Sequence, residues 1–510
     1  MSAEEYRKAS REYQSIQDEL EDIGYSELGR QGQVDYRLLE TKLAKEIYEI
    51  DTLEMYKVSP ISYYRLDTTN SLFVRGCGVA DSGVEAAVDE LRRLPEVLEN
   101  ARENLTTPAK VWTENAIYQA FYARKLLEEF VPDACVDSPV LKEDLIEAAN
   151  RALEAVNAYE KWLNDDLLPR STRSPTGEPR HIEFYVQDYL LLDYNVGDML
   201  DIAYEEEEQV MQKMEALADS IHPSGDLRTV WENMKDEAPP WEGVLPMAES
   251  FVDLTSDWLQ KEGSHVVTIP DYIDFGARIT PPMARRSLSF GGATRGPDLA
   301  GRQSGYYVLT PLESKLSDEG KASRIRSYNP YWTHVISYHE WIGHNVQIAA
   351  AREHVDRDIR LGHDGGFFSQ AWSFYLERLL EKEGYFDDRL DYITALKTRM
   401  GRLQMRMWRI QRIITKLEMA RGNMSFDEAV QRYVEQIGME PTNAFIEVQR
   451  DSQNPYPPNR EIIGEKEILD LRAEYKQRMG EHYSLKNFND QLLKYGDLPF
   501  PLIRRLMFLD

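Results

Sequence analysis

Apolar residues recur at three- and four-residue intervals over most of this chain, a rhythm that leaves room for little but helices packed on one another. The stretches 84 to 105 ("VEAAVDELRRLPEVLENARENL"), 142 to 164, 200 to 220, 369 to 383 and 388 to 422 all carry it. Alternation of period two, the mark of a half-buried strand, is confined to 265 to 275 ("HVVTIPDYIDF") and 304 to 311 ("SGYYVLTP"). The expected fold is therefore mainly α and large, with a very small β element. At 510 residues the chain exceeds the size at which a single core stops growing. The breaker-rich "LPRSTRSPTGEPR" (168 to 180) is the candidate junction between an N-terminal helical region, 1–170, and the remainder, 180–510, packed as one unit.

A net charge of -28 argues against nucleic acid or an anionic membrane as partner, because both would be repelled. The two cysteines, Cys77 and Cys135, exclude a disulfide framework and suggest a reducing compartment. The opening "MSAEEYRKAS" lacks the apolar core of a signal peptide, and no apolar run approaches the roughly 18 residues of a membrane span. A soluble, cytoplasmic protein is expected, with oligomeric state left open. The acidic run Glu205 to Glu208 reads as a solvated helix face. The glycine-rich "FGGATRGPDLAGRQSG" (290 to 305) reads as a long loop, and it lacks the Gly-Lys-Ser/Thr ending of a phosphate cradle.

Five of the nine histidines, His334, His339, His344, His354 and His363, fall in one short window. Within it, "YHEWIGHNVQ" (338 to 347) is almost a His-Glu-x-x-His zinc signature, with the second histidine one residue late. Trp332, Val335, Ile336, His339, Gly343, Val346 and Ala350 form one helical stripe, so His339 faces inward. At about 100° per residue a partner at i+4 lies about 40° away, whereas His344 at i+5 lies about 140° away. On a regular helix the two rings diverge, and Glu340 pairs with His344 instead. A one-residue π-bulge would bring i and i+5 to one side, and a break at Gly343 would do so as well. The alternative is an ordinary buried histidine beside an exposed Glu–His pair.

Further blocks follow in one order: "FFSQAWSFYLERLLEKEGYF", "GNMSFDEAVQRYV", "EVQRDSQNPYPPNREIIGEKEILDLR" and "YSLKNFNDQLLKYGDLPFPLIRRL". Together with the histidine block they resemble the bacterial family catalogued as domain of unknown function 885, over about 190 to 510 and more loosely before that. The resemblance implies a helical, zinc-metallopeptidase-like fold with a deep central cleft. In that family the first block reads His-Glu-x-x-Pro-Gly-His. By position, the resemblance makes His339 and His344 ligands of one divalent metal, most naturally zinc, with Glu340 as the base that activates water. Two imidazoles and a carboxylate also suit iron or manganese.

The departures are as informative. The family's Glu-Gly-Trp becomes Gln370, Ala371 and Trp372, which puts a neutral amide in the place of the third ligand. A family tyrosine is replaced by Glu461, a family Asp and His by Lys416 and Ala420, and a C-terminal histidine by Asn489. Arg450 is retained and could hold a substrate carboxylate. A carboxylate lost at 370 and one gained at 461 suggest that Glu461 restores the ligand set. Glu377, about 10 Å along the helix from Gln370, is too far to bind the same ion and reads as a packing or salt-bridge residue. The expected function is metal-dependent, peptidase-like hydrolysis of a peptide or amide-like small molecule. The alternatives are a repurposed metalloenzyme with a rearranged site and a non-catalytic relative.

Overall fold

The computed structural model describes residues 1–508 except 76–78, 271–273, 286–287, 289, 298–302, 314–315, 362–365, 455–457 and 459. Its architecture is mainly α-helical with one small sheet. The expected helices form at Asp81–Asn104, Pro139–Trp162, Val196–Ile221, Phe367–Lys382 and Tyr392–Ala420. Local chemistry fixes their starts. Asn195 caps the third through a reciprocal bond with Asp198, and the Asp391 carboxylate accepts from the Thr394 N–H to open the last. Among the described residues no helix is long and apolar enough to cross a membrane.

Among the described residues the helices bury two large apolar clusters, with a third, minor one at Val58, Ala109 and Trp112. The smaller of the large two lies within Tyr63–Leu167, where Asp81–Asn104 packs on Pro139–Trp162 through Leu91, Leu94, Leu98, Ala148, Ala152 and Val156. The larger runs from Val34 to Met507, centred on Tyr392–Ala420, which packs against Val196–Ile221 and against Pro330–Tyr338. Val335, Ile342 and Val346 are fully buried there, each worth about 1.5–3 kcal/mol relative to exposure. Glu206 and Glu207 are not the solvated face expected of them. Glu206 pairs with Arg406 at 2.9 Å, and Glu207 accepts from Gln411 at 2.7 Å and from Arg432. They fasten one long helix to the next.

The sheet has the order β1-β3-β2, with β1 Asp274–Ile279, β2 Gly291–Pro297 and β3 Gln303–Leu309. β1 runs parallel to β3, and β2 pairs with it antiparallel, Gly291 opposite Leu309. Among the described residues of 265–275, Asp274 and Phe275 are strand. Conversely, the first half of the expected glycine loop is strand β2. A Cβ on Gly291 would sit 2.1 Å from the Val308 carbonyl oxygen, so glycine is what lets the edge strand close on its neighbour. Cys135 is disulfide-bonded, where the sequence suggested reduced thiols. Cys77 and His363 lie outside the described residues.

Candidate metal centre

The helix Pro330–Tyr338 does not continue as an α-helix. From His339 to Val346 it is a π-helix, and α-helix resumes at Gln347–His354. Hydrogen bonding of i to i+5 adds a residue to the turn, so His339 and His344 come to one side. Their ring centroids are 5.1 Å apart. Gly343 has a different part from a hinge. A Cβ there would lie 2.2 Å from Ser373 Oγ and 2.8 Å from Ser373 Cα. The glycine lets Phe367–Lys382 press against the backbone at the middle of the widened segment.

One atom each from His339, Glu340 and His344 lies within 4.8 Å of the others. Among the described residues they form the one His/Cys/Asp/Glu group close enough to share a cation. All three are buried. The Phe367–Lys382 helix sets the orientation of both rings. His339 Nδ1 is 2.7 Å from Glu377 Oε1, and His344 Nδ1 is 2.8 Å from Ser369 Oγ. With both Nδ1 atoms bonded to the neighbouring helix, Nε2 is the nitrogen through which each ring would meet a metal. This is the arrangement in which an outer partner fixes the tautomer and aim of a ligating histidine.

Glu340 accepts from the backbone N–H of Ala293 on the edge strand β2. Burial pushes its carboxyl up to about 8, with Arg409 pulling the other way. Burial likewise raises Glu377 to about 7 and drives His339 well below the usual imidazole range. A divalent cation among these groups would favour the ionised carboxylate and the neutral imidazoles. The donor set therefore fits such an ion.

The same residues open on a cavity of about 370 Å³. Gln370 lines it with Nε2 3.4 Å from His344 Nε2, so it does stand beside the cluster. Glu461 lines the cavity too, but its Oε1 is 2.6 Å from Arg412 Nη1 and 4.0 Å from Arg409 Nε. It is paired with arginines and is not one of the three residues grouped within 4.8 Å, although its charge acts on His339. Arg450 is similarly engaged, at 2.7 Å from Glu447 and 3.3 Å from Asp451. Lys416 Nζ donates to the Asn454 carbonyl at 2.6 Å, and burial lowers its amine to about 7. Asn489 lies in the core instead, donating to the Val266 carbonyl at 2.9 Å.

Sequence reasoning missed Ser369 and the paired arginines, and it read Glu377 as a packing or salt-bridge residue without finding its partner, His339. Glu377 is indeed about two turns from Gln370, yet the two histidines are themselves spread along the facing helix. Position 377 meets His339 while position 369 meets His344. An acidic residue eight positions after a serine, facing histidines five apart, was the available signal.

No curated protein matches the chain. Two solved structures share its fold. One is described as "a putative lipoprotein of unknown function" from Shewanella oneidensis, with TM-score 0.74, 20% identity, and coverage of 98% of this chain and 92% of that one. The other, a "putative lipoprotein" from Colwellia psychrerythraea, has TM-score 0.77, 16% identity, and coverage of 99% and 91%. The family described as bacterial protein of unknown function, DUF885, matches residues 1–507, well beyond the C-terminal blocks that first suggested it, and the chain belongs to that family.

Proposed function

We propose that the protein is a divalent-metal-dependent hydrolase of an amide bond in a peptide or peptide-like small molecule. The observation that carries this is the outward bonding of both Nδ1 atoms, to Glu377 and Ser369, which leaves two Nε2 atoms and the Glu340 carboxylate around one point. A cation held there, with zinc the best fit to two imidazoles, supplies Lewis acidity for an amide carbonyl and lowers the pKa of a water. Glu340 takes a proton from the water as its oxygen adds to the carbonyl carbon. It returns that proton to the nitrogen as the C–N bond breaks. The Ala293 N–H keeps the Glu340 carboxylate turned to this position.

Gln370 beside His344 supports a weaker third ligand than a glutamate would give, and so a more exchangeable metal. The same feature supports a second reading, in which His339, His344 and Glu340 form a two-histidine, one-carboxylate set suited to iron. Elemental analysis of protein purified without chelator tests both. About one equivalent of metal, lost in His344→Ala, is the expected result, and its identity chooses between them. Glu340→Gln then retains the metal under the hydrolase reading but loses hydrolysis of a peptide library. A metal content near zero in the wild type leaves a non-catalytic relative. The disulfide at Cys135 and the description of both structural relatives as lipoproteins favour an oxidising location over the cytoplasm.

A further inference from the structure

Beside the histidine cluster, the cavity lining is built from Tyr392–Ala420 and its neighbours. Among the described residues five cations line the cavity (Arg409, Arg412, Lys416, Arg450 and Arg460) against four carboxylates (Glu340, Glu447, Asp451 and Glu461). A chain of net charge -28 thus encloses a cavity with no negative excess, and a divalent ion would make it positive.

The cations are not equally spent. Arg412 gives one nitrogen to Glu461 at 2.6 Å and another to Glu447 at 3.0 Å. Arg450 is held by Glu447 and Asp451, and Lys416 by the Asn454 carbonyl. Arg409 differs. Its nearest carboxylates are Glu377 at 3.8 Å and Glu461 at 4.0 Å, which balance charge without a hydrogen bond. Its hydrogen bonds reach only the Met405 carbonyl at 3.4 Å and Met405 sulfur at 3.5 Å, one turn back on its own helix. Its Nε is buried without a partner. Arg409 is 5% exposed, and its guanidinium lies over the Trp408 ring at 4.6 Å. A guanidinium is thus held at the cavity lining with only long contacts, a costly state for a buried charge unless something else completes it.

We propose that Arg409 is the substrate's anion anchor, receiving one carboxylate of an acidic amide, such as a peptide's free C-terminus, while the scissile amide faces His339, Glu340 and His344. Arg450, the sequence candidate for this part, is already occupied by protein carboxylates. A planar carboxylate suits a guanidinium through paired N–H···O bonds, and one under-bonded arginine matches one negative charge. The scissile amide rests on the metal-hydrolase reading; the anion preference does not.

The test is therefore made by binding. N-acetyl-alanyl-alanine and its C-terminal amide are titrated by calorimetry into zinc-loaded wild type, and inorganic phosphate is titrated separately. The same set is repeated on Arg409→Gln, on Arg409→Lys and on metal-free His344→Ala. The acid form is expected to bind at least tenfold more tightly than the amide. That preference collapses in Arg409→Gln, persists in part in Arg409→Lys and survives in His344→Ala. Metal content is unchanged in both Arg409 variants. Equal binding of acid and amide, no binding of either, or a preference untouched by Arg409→Gln overturns the assignment. Phosphate binding without acid-form binding overturns the carboxylate. If Arg409→Gln melts too low for titration, the Arg409→Lys comparison decides. Loss of hydrolysis with the acid preference intact would sink the hydrolase reading alone.

Discussion

The two walls of the cavity are organised on opposite principles. On the histidine wall, each imidazole is bonded from behind through Nδ1, so that both rings and a carboxylate are gathered at a shared centre. On the arginine wall, opposite charges satisfy one another across the cavity lining, and Arg409 alone of those described is left with only long contacts. The first pattern is what a cation requires of its hosts, and the second gives a positive lining that still folds without one. The comparison also separates Glu461 from Gln370, which lies beside His344. Position 461 belongs to the wall where carboxylates are consumed by arginines.

The largest effect should follow from Gly343→Ala. The added Cβ meets Ser373 Cα at 2.8 Å, a backbone-linked atom that no rotamer change removes. Overpacking of this kind should lower stability by about 3 kcal/mol in denaturant titrations, and metal content should fall with it. Ser373→Gly should restore only part of either. Full recovery would mean that the two helices do not hold the widened turn.

Next comes the arginine wall itself, through Lys416. Its amine lies near 7 in the fold, below the unfolded value of about 10.4. The unfolded chain therefore binds more protons between those limits, and stability rises with pH there. The contribution is present above the unfolded value and is lost as pH falls through about 7. Lys416→Met should flatten this dependence, so that the stability difference from wild type changes by about 2–4 kcal/mol between pH 7 and 10. Parallel curves would show that the lysine is not desolvated.

A smaller effect is expected from Glu377→Gln. Replacing the acceptor behind His339 should weaken zinc affinity by about 10- to 100-fold in competition with a chelator. Ser369→Ala behind His344 should cost less, because a hydroxyl is a weaker acceptor than a carboxylate. The smallest effect on metal belongs to Glu461→Gln. Zinc affinity should stay within about threefold while thermal stability drops, since Arg412 loses one of its two buried partners. A large loss of zinc there would return Glu461 to the ligand set.

Much of the helical framework was legible in the chain because the period of burial is local. The stretch 388 to 422 announces Tyr392–Ala420 by its own spacing. Strand β2 was not legible: "GGATRGP" has no alternation and little β-branching, and it becomes a strand through its fit against β3. The widened π-turn that joins His339 and His344 was one of three readings of the spacing, beside a break at Gly343 and a regular helix. The choice among them is made by a neighbouring helix, through a contact between residues 343 and 373 that no local window contains. Glu377 was set aside because its distance was reckoned from Gln370 and not from His339. The bonded state of Cys135 likewise depends on spatial pairing that composition cannot supply.

The tight seating of residue 343 on residue 373 makes ring spacing and interhelix distance a single variable. Removing one residue to recover an ordinary i, i+4 pair would rotate everything from Gln347 onward by about 100° and draw it in by about 1.5 Å. The serine and glutamate behind the two imidazoles would then face the wrong side chains. Redesign of this centre has to move two helices together, and chains of this build can be expected to tolerate replacement of a ligand more readily than a change in the length of that turn.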